Sequence, residues 1–154
     1  MTDRPALEAV SPLDGRYARY TEPLVEYASE SALMRARVRV EVEYLIALAD
    51  TVAEFDLTDE ERDRLRDCYE SFDEDDAGVV KQLETEGWKG YSATNHDVKA
   101  VEYFVREHAP EPAHPFIHFG LTSEDVNNLA QRLLVKPAIE EVLAPKLREL
   151  RDTL

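Results

Sequence analysis

From Leu24 to Ala77 the chain contains neither glycine nor proline, and the stretch is rich in Ala, Leu, Glu and Arg, residues that lose little freedom in a helix. Val38, Val42, Leu45, Ala49 and Val52 recur every three or four positions, the spacing of one buried helical face. Thr21 as N-cap and Pro23 in the first turn predict where the helical region starts. One passage competes with this reading. Arg37-Val38-Arg39-Val40-Glu41-Val42-Glu43-Tyr44 alternates polar and apolar residues, as a half-buried strand does. No turn signal bounds the run, and Arg37/Glu41 and Arg39/Glu43 stand four apart, where opposite charges pair on a helix. Helix is therefore preferred.

Thr58-Asp59-Glu60-Glu61 is a capping-box pattern and predicts a second helix ending near Phe72. The acidic segment that follows reads as a short helix and then a loop, Gly87-Trp88-Lys89-Gly90-Tyr91. A helix is expected over 97–107, with Glu102 and Arg106 at i,i+4. Pro110, Pro112 and Pro115 make a rigid break. Thr122-Ser123-Glu124-Asp125 caps a helix to about Val135, and Pro137 opens a last one, which Pro145 kinks or restarts. Leu143, Leu147, Leu150 and Leu154 share a face of that helix, and the apolar stripe is still running at Leu154. The prediction is an all-α chain of five or six helices without internal repeats.

Composition narrows the functions this chain can have. Its 154 residues carry 18 Lys plus Arg against 33 Asp plus Glu, a formal charge of −15. With 44% hydrophobic residues the chain can still fill a core, so the acidity does not argue disorder. Nucleic acid is a poor partner for such a surface, because phosphate binding needs a basic stripe. An anionic ligand would need its own local cations. The 13 Arg against 5 Lys suggest salt adaptation, with a merely acidic cytosolic protein as the plainer reading. A single cysteine, Cys68, excludes an internal disulfide framework and fits a reducing compartment. The longest apolar run, Tyr44 to Ala49, is far short of the roughly 20 residues of a membrane span, and no signal peptide is visible. A soluble, cytoplasmic protein is expected.

Three clusters place small polar and charged residues in turns or at helix starts. In Ser11-Pro12-Leu13-Asp14-Gly15-Arg16-Tyr17, a turn presents a guanidinium beside a phenol, and Arg is well suited to grip phosphate or carboxylate. A solvated surface turn fits the same residues. Thr94-Asn95-His96-Asp97 opens a helix whose free amides favour an anion and where His96 adds an imidazole donor; an ordinary cap at Thr94 or Asn95 is the alternative. His118-Phe119-Gly120-Leu121-Thr122-Ser123-Glu124-Asp125 is a glycine turn feeding another helix start, with Thr122 or Ser123 equally readable as a cap. Ser123 lacks the surroundings of a nucleophile. His114 and His118 are four apart, but Pro115 breaks the helix a metal pair would need and no third ligand is evident, so no metal is expected.

The segments S-P-L-D-G-R-Y (11–17), T-N-H-D-V-K-A-V-E-Y-F (94–104) and F-I-H-F-G-L-T-S-E-D-V-N-N (116–128), in this order, resemble the amino-terminal part of the adenylosuccinate lyase family, within the fumarase/aspartase superfamily. The last contains that superfamily's H-x-G-x-T-S-x-D pattern, and the first two argue against argininosuccinate lyase. The likeness runs from about Val10 to Leu154 but covers only the first third or so of a family member. With the acidity, it points to a halophilic archaeon as the source.

The resemblance implies an all-helical fold. Residues 1–136 would form an amino-terminal domain carrying substrate-binding motifs, and 137–154 the start of a truncated central helical bundle. It implies a cofactor-free β-elimination of fumarate from adenylosuccinate, giving AMP, and from the succinylated carboxamide ribotide of purine synthesis. Arg16 and Tyr17 would bind substrate, Arg16 at the phosphate. Asn95, His96 and Asp97 would follow, His96 with an assisting role in proton transfer, and Thr122 and Ser123 would hydrogen-bond the substrate. The principal acid and base belong to regions beyond Leu154, so the isolated chain is expected to be inactive. Family members are homotetramers whose sites combine several subunits. The loop from Thr85 to Ala93 is longer than in the bacterial members. The competing reading is a non-catalytic helical remnant that binds purine nucleotide or associates with a full-length partner.

Overall fold

The computed structural model describes residues 8–52 and 54–154. Ser29, not Thr21, starts the long helix. Its Oγ accepts from the Ala32 amide at 3.1 Å, whereas the Thr21 hydroxyl turns back to the Ala18 carbonyl. Before Ser29 the chain makes only short turns, α1 (Ala18–Thr21) and α2 (Val25–Ala28), joined by a 3-10 turn at Glu22–Leu24. There follow α3 (Glu30–Ala49), α4 (Asp59–Glu70), α5 (Glu74–Thr85), α6 (Asp97–His108), α7 (Ser123–Pro137) and α8 (Ala144–Thr153). Six helices thus have ten residues or more among those described. The all-α expectation holds, and among the described residues no helix is long and apolar enough to cross a membrane.

The alternating passage lies wholly within α3. Successive helical residues turn by about 100°, so Ala36/Val40, Arg37/Glu41, Val38/Val42 and Arg39/Glu43 form four separate stripes. The first packs with Val98, Val126 and Ala130 in a small cluster towards α6 and α7. The third joins the main core of Leu45, Leu65, Val80, Leu83, Val101, Phe104 and Val105. A helix enclosed on opposite sides needs apolar residues at alternate positions, which imitates a strand pattern. The predicted pairing within α3 does not form. Arg37 reaches Asp97, Glu41 reaches His118 and Glu43 reaches Arg66, because tertiary partners lie closer to those stripes than the next helical turn.

Thr58 caps α4 through a reciprocal box with Glu61, as predicted. Phe72 lies beyond the end of α4 and packs on the core. The Gly87–Tyr91 loop is a small antiparallel hairpin, β1 (Gly87–Trp88) with β2 (Tyr91–Ser92), in register Trp88↔Tyr91. Lys89 and Gly90 both take positive φ at its tip, the geometry of a two-residue hairpin turn. Tyr91 stacks on Tyr103 of α6, ring centres 4.6 Å apart. Thr94 N donates to Leu83 O and Asn95 N to Glu84 O, at 3.0 and 2.9 Å, so the base of this excursion is closed and the hairpin stands outside the frame carrying Asn95.

Two further expectations are corrected, at Glu102 and at Pro137. Glu102 pairs with Lys99 at 2.5 Å, and not with Arg106, whose guanidinium lies over Tyr103. The Pro110–Pro115 break is a 3-10 helix over Glu111–Phe116. Pro137 does not open a new helix: α7 passes through it into a π-helical stretch, Ala138–Leu143, and then α8. A proline lacks the amide that would bond the carbonyl four residues back and crowds it. A locally wider helix between Pro137 and Pro145 accommodates both. Leu143, Leu147, Leu150 and Leu154 are all exposed.

Candidate functional site

Two of the three clusters meet on α3. His96 is itself the N-cap of α6, its Nδ1 accepting from the Lys99 amide at 3.3 Å. Thr94 cannot cap, because its hydroxyl is bonded to the His96 backbone. With Nδ1 as acceptor, the neutral His96 ring carries its proton on Nε2 and offers it outward. Asn95 is exposed and held at φ +49°, a left-handed conformation that Asn tolerates better than most residues. Asp97 receives the Val98 amide at 2.8 Å and the Arg37 guanidinium at 2.8 Å. Burial works to raise its pKa, but the Val98 amide and Arg37 outweigh it and hold the carboxyl below the ordinary aspartate value.

The third cluster is tied to the same helix. Arg37, 7% exposed, donates through Nε to Asn127 of α7 at 2.9 Å, so one guanidinium bridges the starts of α6 and α7. The His118 turn has φ +60° at His118 and +72° at Gly120. It is pinned by Tyr44, whose hydroxyl donates to Phe119 O at 2.8 Å, and by Glu41. Thr122 gives both its amide and its hydroxyl to Asp125, at 2.8 and 2.7 Å. These bonds hold the Asp125 carboxyl below its ordinary value. Ser123 is half-buried, and its hydroxyl makes no hydrogen bond among the described residues.

The first cluster stays apart. Arg16 and Tyr17 are exposed, the guanidinium 4.6 Å over the Tyr17 ring. The turn is closed locally, with Tyr17 N on Pro12 O. No hydrogen bond or ion pair joins it to 94–97 or 118–128 among the described residues. The short turns after it pack against the far end of α7, where Glu22–Leu24 meets Ala138–Leu143 and Tyr27 donates to Glu141. Ala138 is 16 residues beyond Thr122, about 24 Å at 1.5 Å per helical residue.

An apolar groove of about 550 Å³ opens beside the third cluster, between α3 and α7, lined by Val40, Tyr44, Leu121, Asp125, Leu129 and Leu133 among others. His114 and His118 do not converge on a metal: His114 bonds the Ala109 carbonyl and His118 faces Glu41. The motifs do not include Arg37 and Glu41, and they contain His118 only as the first residue of the third cluster. The available signal was a run of charges at positions that helical spacing also marks as enclosed.

An all-helical frame that gathers hydrogen-bonding groups at the starts of two helices, with its charged partners on a third, matches a family model described as Lyase over residues 15–154. The chain belongs to that family. Among individual relatives it is similar to the adenylosuccinate lyase of Dictyostelium discoideum, 43% identical over 153 residues, covering 93% of this chain and 31% of that protein. The adenylosuccinate lyase of Legionella pneumophila strain Corby is 40% identical over 157 residues, with 97% and 33% covered. That of Escherichia coli K12 is 41% identical over 155 residues, with 96% and 32% covered. The chain therefore spans about a third of the length of these relatives.

Proposed function

We propose that this chain is the amino-terminal part of an adenylosuccinate lyase and contributes part of the substrate site. The observation that carries the reading is the Arg37 bridge, which fixes Asp97 and Asn127 together and leaves groups of Asn95, His96 and Ser123 uncommitted beside it. β-Elimination of fumarate needs a base for the proton on the carbon next to a carboxylate, an acid for the departing nitrogen, and oriented donors for the charge that develops between. Here His96 and Asn95 supply donors, Asp97 keeps their helix start in place, and Thr122 and Ser123 hydrogen-bond the substrate, Thr122 by exchanging its bond to Asp125. Arg16, with Tyr17, binds the phosphate.

The principal acid and base lie beyond Leu154, and His96 assists. No cofactor is required. The separation of Arg16 from the other clusters favours a site completed by other subunits of a homotetramer. The exposed leucines of α8 favour the reading of 137–154 as the start of the central bundle, after a substrate-binding domain at 1–136.

The 154-residue chain should bind AMP, with binding weakened at least tenfold in Arg16→Ala, measured by calorimetry. It should release no fumarate from adenylosuccinate. Equal AMP affinity in the variant refutes the phosphate role, and fumarate release refutes the location of the acid and base.

A further inference from the structure

Glu41 is fully enclosed on α3, yet it carries a carboxylate. Its Oε1 lies 2.5 Å from His118 Nδ1, and its Oε2 is enclosed with no hydrogen-bond partner. Glu102 of α6 stands 3.9 Å from the same ring nitrogen and is paired with Lys99. Burying an acid without compensation is costly, so an acid at this position with a single partner points to a task centred on that partner.

We infer that Glu41 is a positioning residue for His118: it accepts the Nδ1–H and leaves Nε2 as a lone-pair acceptor. The ring sits on a left-handed turn, where its backbone alone sets neither its orientation nor its tautomer. Glu41 comes from the middle of the most enclosed helix and fixes both. Burial pushes the Glu41 carboxyl above its ordinary value and the bond to His118 opposes that; with the carboxylate as acceptor in this close contact, the shared proton resides on Nδ1. Nε2 has no hydrogen bond among the described residues, yet is not an enclosed atom, so solvent or ligand reaches it. The two histidines then present opposite chemistry. His96 Nε2 offers a proton, and His118 Nε2 accepts one from a hydroxyl or N–H of the ligand. That last role rests on the proposed function; the positioning by Glu41 does not.

Long-range ¹H–¹⁵N NMR of the 154-residue chain at about pH 9 reads the tautomer of neutral imidazole directly, with the His118 signal assigned from its loss in His118→Asn. The parent should show the Nδ1–H form. Glu41→Gln, whose amide oxygen still accepts, should keep it. Glu41→Leu should switch the ring to the Nε2–H form. His108 and His114, each bonded to a backbone carbonyl, report whether the core is intact. An Nε2–H ring in the parent, a switch in Glu41→Gln, or no switch in a folded Glu41→Leu overturns the inference. If Glu41→Leu does not fold, the parent and Glu41→Gln decide it. No ligand is present in the measurement, so its outcome is independent of whether AMP binds.

Discussion

Replacing Arg37 by Met tests whether one buried guanidinium joins two helix starts. Methionine keeps most of the enclosed stem, so packing changes little; what is lost is the bond to Asn127 at 2.9 Å and the ion pair with Asp97 at 2.8 Å. Hydrogen bonds involving a charged group contribute about 1.5–3 kcal/mol each. The Asp97 side chain is 49% exposed and can turn to water, which places the total near the lower bound, about 3 kcal/mol. A domain of this size loses roughly 2–4 °C per kcal/mol, so the melting temperature should fall by about 6–12 °C. Urea unfolding of Arg37→Met, Asp97→Asn and the double variant isolates the pair, with an expected coupling of about 1–2 kcal/mol.

The acid limb carries a second signature. Because the Asp97 carboxyl is held below its ordinary value, it adds stability that is present above the unfolded aspartate pKa, about 3.9, and lost as pH falls through the lower folded value. Arg37→Met should shed part of that dependence. A loss under about 0.5 kcal/mol, typical of an unremarkable surface change, would refute the bridge, and so would coupling to Glu41 in place of Asp97.

Two other outcomes follow from local geometry. Gly87 has φ +92°, and a Cβ there would collide with Tyr91 O, so Gly87→Ala should open the hairpin at a cost of about 1–3 kcal/mol. Emission of Trp88, the sole tryptophan, should shift to the red while the His96 cap persists; unchanged emission and stability would contradict the strain. The Cys68 thiol is buried, which pushes its pKa up to about 12, so a thiol reagent at neutral pH should react far more slowly with the folded chain than in denaturant. Equal rates would show that Cys68 is accessible.

Which features were legible in the sequence depended on the range of the forces involved. The Thr58 box is set by residues three apart and forms as read, as does the α7 start, where Asp125 takes the Thr122 amide. The start of the long helix is not legible locally, because Thr21 and Ser29 both carry a capping hydroxyl and packing chooses between them. His96 as its own cap was illegible for a related reason: Thr94 is the better capping residue by type, but its hydroxyl is held by the His96 backbone in the turn.

The sequence by itself determined the all-helical class, most of the helices and the three motif segments, because periodicity, caps and turn residues act over a few positions of chain. Tertiary structure alone decided what the charges of α3 are for. Arg37, Glu41 and Glu43 carry the spacing of pairs within one helix, yet each finds a closer partner on another element. It also decided that the second and third motifs meet while Arg16 stands apart. Such pairings depend on which helix faces lie against one another, and that follows from the packing of the whole core.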